Sequence, residues 1–176
     1  MRRFATRCEQ YERERLFTAV NSRRSEAEKL LTFEFARFLF DHGLNPLIDP
    51  KISGLKPDVI DVSLGRPIYV EAKQYSSQNP RTRILQGTWQ TLDTWGRLRQ
   101  AYDLDEAFLV VFRLGGPRLE LPESVSVHGR RFYLVLVDLG PTEISGSRQR
   151  LNPITISAEE ILRERPIRKP ATTRSN

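Results

Sequence analysis

The chain has 176 residues, with 28 Lys and Arg against 22 Asp and Glu and a formal net charge of +6. That length suits one domain and is enough to bury a hydrophobic core. A single cysteine, Cys8, excludes an intramolecular disulfide framework and a zinc finger. The longest apolar runs, 108–112 and 132–137, are far shorter than the ~20 residues that span a bilayer. The charged start indicates no signal peptide, so we expect a reducing, cytoplasmic setting.

Basic residues concentrate at the two ends of the chain. Residues 1–24 hold seven Arg and three Glu, and residues 163–176 hold five basic residues and one acid. The stretch between them is slightly acidic. We therefore expect residues 1–24 to form a peripheral basic helical arm and residues 166–176 to form a disordered basic tail. Both ends would attract a polyanion such as nucleic acid.

Two helices are predicted before the first strand. Residues 4–20 read as a charged helix with few apolar positions. Ser25-Glu26-Ala27-Glu28 matches a capping box, which predicts a helix start. That second helix is apolar nearly all round, so we expect it to be well buried, and Gly43 is a suitable residue to end it.

The middle of the chain alternates strand and helix patterns. The predicted strands are 47–48, 59–62, 68–72 and 107–112, with a hairpin turn at 64–67 and a helix over 82–102. A second hairpin over 125–137, a strand at 154–156 and a short capped helix from Ser157 follow. This order predicts one α/β domain over 25–165 with a central mixed sheet flanked by helices, plus a β-rich C-terminal extension.

Three charged residues fall at corresponding ends of two predicted strands. Pro57-Asp58 opens one strand, and Glu71-Ala72-Lys73 ends the strand that follows it. A hairpin would lay the two strands side by side, and alternation places Glu71 and Lys73 on one face. Two carboxylates and an ammonium group suit a hard divalent cation such as Mg²⁺ (or Mn²⁺) acting on a phosphodiester. The alternative without a catalytic role is a surface hairpin whose charged residues form a salt bridge.

This pattern resembles the PD-(D/E)XK nuclease superfamily. The resemblance covers about 25–114 and implies a restriction-endonuclease-like fold with an αβββαβ core. It implies that Asp58, Glu71 and the backbone carbonyl of Ala72 are metal ligands and that Lys73 is the catalytic lysine. It also implies Mg²⁺-dependent hydrolysis of phosphodiester bonds, most often in DNA.

Members of this superfamily often carry an acid on the first core helix that faces the site. Glu34 is the preferred candidate because it is a lone acid near the middle of an apolar helix face. Glu28 is the alternative, although the capping box would explain it without chemistry. Weaker candidates for nucleic-acid contact are polar residues on or near the second core helix: Gln74, Arg81, Arg83, Gln86 and Gln90.

The sequence therefore predicts a small metal-dependent DNA endonuclease. A homodimer would allow cleavage of a duplex, because one such site cuts one strand at a time. Target choice could come from the tails, residues 115–162, self-association or a partner protein. Two alternatives remain open: a nucleic-acid-binding or adaptor module of the same fold that does not cleave, and an RNase of the same fold.

Overall fold

A computed structural model of the chain describes residues 1–52, 54–61, 67–76, 79–99, 102–140 and 152–163. The helices are α1 (Arg2–Thr6), a π-helical turn (Arg7–Tyr11), α2 (Arg13–Ser22), a 3₁₀ turn (Arg24–Glu26), α3 (Ala27–Asp41), α4 (Arg81–Leu98) and α5 (Ala158–Leu162). The strands are β1 (Leu47–Ile48), β2 (Val59–Asp61), β3 (Ile68–Tyr75), β4 (Glu106–Arg113), β5 (Leu119–Glu120), β6 (Ser124–Val127), β7 (Arg130–Asp138) and β8 (Ile154–Thr155). The hairpin turn predicted at 64–67 and the tail predicted at 166–176 lie largely or wholly outside the described residues.

The N-terminal helices belong to the core, which corrects the expected peripheral arm. Phe4 is 1% exposed, and its ring lies 4.8 Å from that of Phe35 and 6.1 Å from that of Phe112, both edge to face. Leu16 and Val20 are buried in the same cluster. Few apolar residues are enough here because each falls on the one side of the helix that meets the sheet.

Helix α3 begins and ends differently from the sequence pattern. Its first residue is Ala27, Glu26 precedes it, and no side chain caps that end, so the predicted capping box is wrong. The Glu28 side chain is thereby available for another partner. At the other end Gly43 has a φ of 81°, which allows it to end the helix as expected. Phe33 and Phe40 are substantially exposed, so the helix is less fully buried than its composition suggests.

Six strands form one mixed sheet in the order β1-β2-β3-β4-β7-β6. The pairs β1–β2 and β2–β3 are antiparallel, whereas β3, β4 and β7 run parallel and β6 pairs antiparallel with β7. Helix α4 makes the crossover that the parallel β3–β4 pair needs. The predicted C-terminal hairpin therefore extends the main sheet, and only β5 and β8 form a separate two-stranded ladder.

The sheet lies between two helical layers. Val59, Val70 and Ala72 pack in one cluster with α1, α2 and α3. Residues of opposite alternation, such as Ile60 and Tyr69, pack in a second cluster with α4 and α5. The described residues thus form a mixed α/β fold with helices on both faces of the sheet, and no helix among them is long and apolar enough to cross a membrane.

The C-terminal extension closes over one end of α4. Ser157 caps α5 by accepting the Glu160 N–H, and Glu160 accepts the Ser157 N–H in return, as the sequence predicts. Arg81 at the start of α4 pairs with Glu160 and donates to the Thr155 carbonyl at 2.9 Å. These contacts fix the beginning of α4 against the extension.

Replacement of Phe4 tests whether the N-terminal helices are structural. We expect Phe4→Ala to lower the free energy of unfolding by about 3–5 kcal/mol, because it leaves a cavity among buried aromatic rings. Tyr11→Ala is the control, since Tyr11 lies in the adjoining helical turn and is 80% exposed; it should change stability by less than about 0.5 kcal/mol. Urea denaturation measures both, and equal small effects would contradict the core assignment.

Candidate active site

The site forms where β3 loses its partner on one side. Strand β3 pairs with β4 along all eight residues, but β2 pairs with it only through Ile68–Val70. Continuing that register by one residue places Asp58 opposite Glu71. Beyond this point no described strand residue pairs with the Ala72 N–H on that side, and the Asp58 carboxylate accepts it at 2.8 Å. Because the N–H and C=O of one strand residue point to the same side, the Ala72 carbonyl also faces Asp58.

Glu71 is a buried carboxylate with a partner on each oxygen. Its residue exposure is 5%. Oε1 accepts from the Lys73 amine at 2.8 Å, and Oε2 accepts from the Tyr69 hydroxyl at 2.7 Å. A buried carboxylate without such donors would be costly. Side chains two residues apart on a strand lie on the same face, so Tyr69, Glu71 and Lys73 all lie on the α4 face of β3.

Lys73 links the two helical layers. Its amine donates to Glu71 and, at 2.9 Å, to Oε1 of Glu28 at the start of α3. Burial alone would lower the pKa of Lys73, but the charges and hydrogen bonds of Glu71 and Glu28 outweigh burial and raise the pKa above its ordinary value. Lys73 is therefore an ammonium cation, suited to donate hydrogen bonds and to stabilise negative charge.

Asp58 is held in an environment that opposes its ionisation. Burial, followed by the nearby negative charge of Glu71, raises the pKa of Asp58 to about 7, although the Ala72 N–H and Lys73 act in the opposite direction. A carboxylate whose pKa is raised this far is a recognised mark of a functional site. A cation bound between Asp58 and Glu71 would relieve their repulsion.

Helix α4 supplies space for the lysine. A Cβ atom built on Gly87 would lie 3.2 Å from Cγ and 3.4 Å from Cδ of Lys73. The missing side chain at Gly87 therefore lets the Lys73 stem pack closely against α4. The stem then directs the amine toward the open edge of β3.

The donor set is compatible with a hard divalent cation. Among the residues that the structure describes, no group of three or more His, Cys, Asp or Glu side chains is arranged to hold a metal ion. The donors available here are two carboxylates and the Ala72 carbonyl. Mg²⁺ accepts such a set because it binds through one or two carboxylates and keeps several waters. Both oxygens of Glu71 retain a lone pair for it, since a carboxylate offers about four acceptor positions.

Of the two candidate helix acids, the structure brings Glu28 to the site and not Glu34. Glu34 accepts two hydrogen bonds from Arg15, at 3.0 and 2.9 Å, so it pairs with α2. The preference for Glu34 is therefore corrected. An acid on this apolar helix face needs a partner, and for Glu34 that partner is an arginine of the N-terminal helices. Glu28 lies at the first turn of α3, next to the open edge of β3.

The weaker candidates do not converge on the site. Arg81 is engaged by Glu160 and the Thr155 carbonyl. Gln74 is half-buried on the opposite face of β3 from Lys73, and three residues of α4 are exposed: Arg83, Gln86 and Gln90. Among these five, only the exposed residues of α4 are placed to meet a large ligand.

Sequence reasoning missed two residues that shape the site. Tyr69 carries the hydroxyl that holds Glu71, and Gly87 gives Lys73 its room. Alternation could have found Tyr69, because it lies two residues before Glu71 on the same strand. Nothing in the sequence marks Gly87, because its role depends on which face of α4 meets β3.

Comparison with family models, curated proteins and solved structures finds no match for this chain. Its functional interpretation therefore rests on the geometry around Asp58, Glu71 and Lys73.

Two glycines of α4 provide a matched test of the space that Lys73 needs. Alanine normally stabilises a helix interior by about 0.5–1 kcal/mol relative to glycine. We expect this gain for Gly96→Ala, because nothing lies within 4 Å of the added Cβ. Gly87→Ala should instead lower the free energy of unfolding by about 0.5–1 kcal/mol relative to the parent, since Lys73 is held at both ends. Equal gains in urea denaturation would show that Lys73 moves freely.

The raised pKa of Asp58 predicts a pH-dependent cost to folding. The folded protein binds the proton of the Asp58 carboxyl more tightly than the unfolded chain does, because the pKa of this carboxyl is near 3.8 in the unfolded chain. The cost is therefore absent below about pH 4, grows as pH rises, and is complete above about pH 7. In EDTA at pH 8, Asp58→Asn should raise the free energy of unfolding by about 1–3 kcal/mol, because an amide oxygen can still accept the Ala72 N–H. The gain should shrink at pH 5; a gain independent of pH would contradict the assignment.

Proposed function

We propose that this protein is a cytoplasmic, metal-dependent nuclease with a restriction-endonuclease-like fold that hydrolyses phosphodiester bonds in DNA. The observation that carries the proposal is the convergence of Asp58, Glu71 and Lys73 at the open edge of β3. The element order α3, β1, β2, β3, α4, β4 supports it, because an αβββαβ core has this order.

Asp58, Glu71 and the Ala72 carbonyl would hold the divalent cation, Mg²⁺ or Mn²⁺. The cation would supply a Lewis acid that polarises the phosphodiester. Asp58 also fixes the main chain at Ala72 through its hydrogen bond, so one side chain both shapes and lines the site. The two carboxylates come from different strands, and the β2–β3 pairing keeps their backbones in register.

Lys73 would act as a donor and a positive charge. Its raised pKa makes it a poor general base at neutral pH, because it holds its proton too tightly. An ammonium group in this position can orient the attacking water and stabilise the charge that develops on the phosphoryl oxygens. Glu28 would limit the movement of the amine through the hydrogen bond that joins α3 to the site.

Charge around the site favours a polyanionic substrate only when a cation is present. Three carboxylates, those of Glu28, Asp58 and Glu71, surround one ammonium, so without a bound cation these residues would repel phosphate when all are ionised. Exposed cations lie next to the site residues in sequence, at Lys29 and Lys56. These cations could contact phosphates flanking the cleaved bond. Cleavage of both strands of a duplex would need two copies of the chain or a partner protein.

One observation favours a non-cleaving module of the same fold. Lys73 already donates hydrogen bonds to Glu71 and Glu28, and Tyr69 donates one to the second oxygen of Glu71. A protein with this network needs no metal to satisfy Glu71. Calorimetry with Mn²⁺ separates the two functions, because the adaptor would bind no cation at Asp58. An RNase of the same fold would be distinguished by its substrate.

Cleavage assays on supercoiled DNA test the proposal directly. The purified protein should nick or cut DNA with Mg²⁺ or Mn²⁺ and lose this activity in EDTA. Lys73→Ala should reduce the rate by about 100-fold or more, because it removes a positive charge that would stabilise the reacting phosphate. Asp58→Asn should reduce the rate by a similar factor, because it removes a charged ligand that would hold the cation. An RNA substrate cleaved in place of DNA would favour the RNase alternative.

The two helix acids give a matched control in the same assay. Glu28→Gln should slow cleavage, because it weakens the hold on the Lys73 amine. Glu34→Gln should leave the rate unchanged, because Glu34 faces Arg15 on α2. Undiminished cleavage by both Lys73→Ala and Asp58→Asn would rule out this site as the origin of any nuclease activity.

A further inference from the structure

Tyr69 is a buried phenol whose hydroxyl points into the candidate active site. Its relative exposure is 0%, and its hydroxyl donates to Oε2 of Glu71 at 2.7 Å. A chain of hydrogen bonds therefore runs from Tyr69 to Glu71, and from Glu71 through Lys73 to Glu28 on α3.

The hydrogen bond from Tyr69 restrains the terminal side-chain torsion of Glu71, which strand pairing does not fix. The terminal torsion of a glutamate is broad, so the backbone of β3 does not by itself fix the plane of the Glu71 carboxylate. Tyr69 holds one oxygen on the side of α4, and Lys73 holds the other toward the open edge. The hydroxyl of Tyr69 is itself restrained, because the tyrosine ring is fully buried.

We propose that Tyr69 is a positioning residue that orients the carboxylate of Glu71 for a divalent cation at the open edge of β3. This inference rests on the proposed function. Outer partners of metal ligands commonly change metal affinity by 10–100-fold when they are removed, because they fix ligand orientation. Tyr69 touches neither the substrate nor the cation and acts only through Glu71.

Tyr75 offers a matched comparison within the same strand. It lies on the same face of β3, its exposure is also 0%, and its hydroxyl donates to the Pro117 carbonyl at 3.0 Å. A main-chain carbonyl is already fixed by the backbone, and Pro117 lies outside the candidate site. Tyr69→Phe and Tyr75→Phe therefore each remove one buried tyrosine hydroxyl, but only Tyr69→Phe releases the proposed metal ligand Glu71.

Calorimetric titration with Mn²⁺ measures the positioning role. We expect Tyr69→Phe to raise the Mn²⁺ dissociation constant by about ten-fold, with Tyr75→Phe within about two-fold of the parent chain. Far-UV circular dichroism establishes that each variant is folded. Equal Mn²⁺ affinity in the parent and Tyr69→Phe would overturn the inference while leaving the proposed function intact. A parent chain that binds no Mn²⁺ would overturn both the metal site and the role of Tyr69 in serving it.

A metal-free cycle tests the contact itself. Urea denaturation in EDTA compares Tyr69→Phe, Glu71→Gln and their double variant, with the corresponding Tyr75→Phe set as control. We expect the two changes at Tyr69 and Glu71 to be non-additive, with a coupling of at least about five-fold in the unfolding equilibrium constant, and those at Tyr75 and Glu71 to be additive. Additivity in both sets would show that Tyr69 does not hold Glu71 and would overturn the inference even if the parent binds Mn²⁺.

Discussion

The site depends on one hydrogen bond, from the Ala72 N–H to the Asp58 carboxylate. Strand β2 leaves β3 after Val70, so a main-chain donor in the middle of the sheet would otherwise be left without a partner. Asp58 supplies the acceptor at the point where β2 begins. The end of the β2 pairing leaves the edge of β3 open at this point, and both helical layers contact Lys73 beside it, α4 through Gly87 and α3 through Glu28.

The cost of this arrangement lies in its negative charge. Asp58 and Glu71 are brought together across two strands, where burial and mutual repulsion oppose the ionised form of Asp58. The fold compensates Glu71 with Lys73 and Tyr69, whereas among the described residues Asp58 accepts a hydrogen bond from the Ala72 main chain and is stabilised by the charge of Lys73. Local conflict of this kind is expected where a site is kept for binding or chemistry at the expense of stability.

Sequence patterns predicted the helices and strands of the core better than they predicted which side chains of these elements contact one another. Alternation of two placed Glu71 and Lys73 together, since a strand allows only two faces. The choice between Glu28 and Glu34 could not be made in this way, because α3 is apolar around most of its circumference and its contact face depends on α2. Contacts of single residues make the choice in the folded protein. Arg15 of α2 forms hydrogen bonds with Glu34, and the Glu28 side chain, which does not cap α3, accepts a hydrogen bond from Lys73.

The same tertiary contacts change the meaning of the basic N-terminus. Its positive charge suggested an arm that attracts nucleic acid, yet several of its arginines bind acids elsewhere in the domain. Arg7 pairs with Asp41, Arg13 approaches Asp138 and Arg15 holds Glu34. These pairs join the N-terminal helices to α3 and β7 around the buried Phe4, so this segment stabilises the layer that carries Glu28. Arg23 and Arg24 of the same segment are exposed, and they lie at the short 3₁₀ turn that leads into α3 and its contact with Lys73. Attraction for a phosphate backbone would therefore be concentrated beside the site and not spread along an arm.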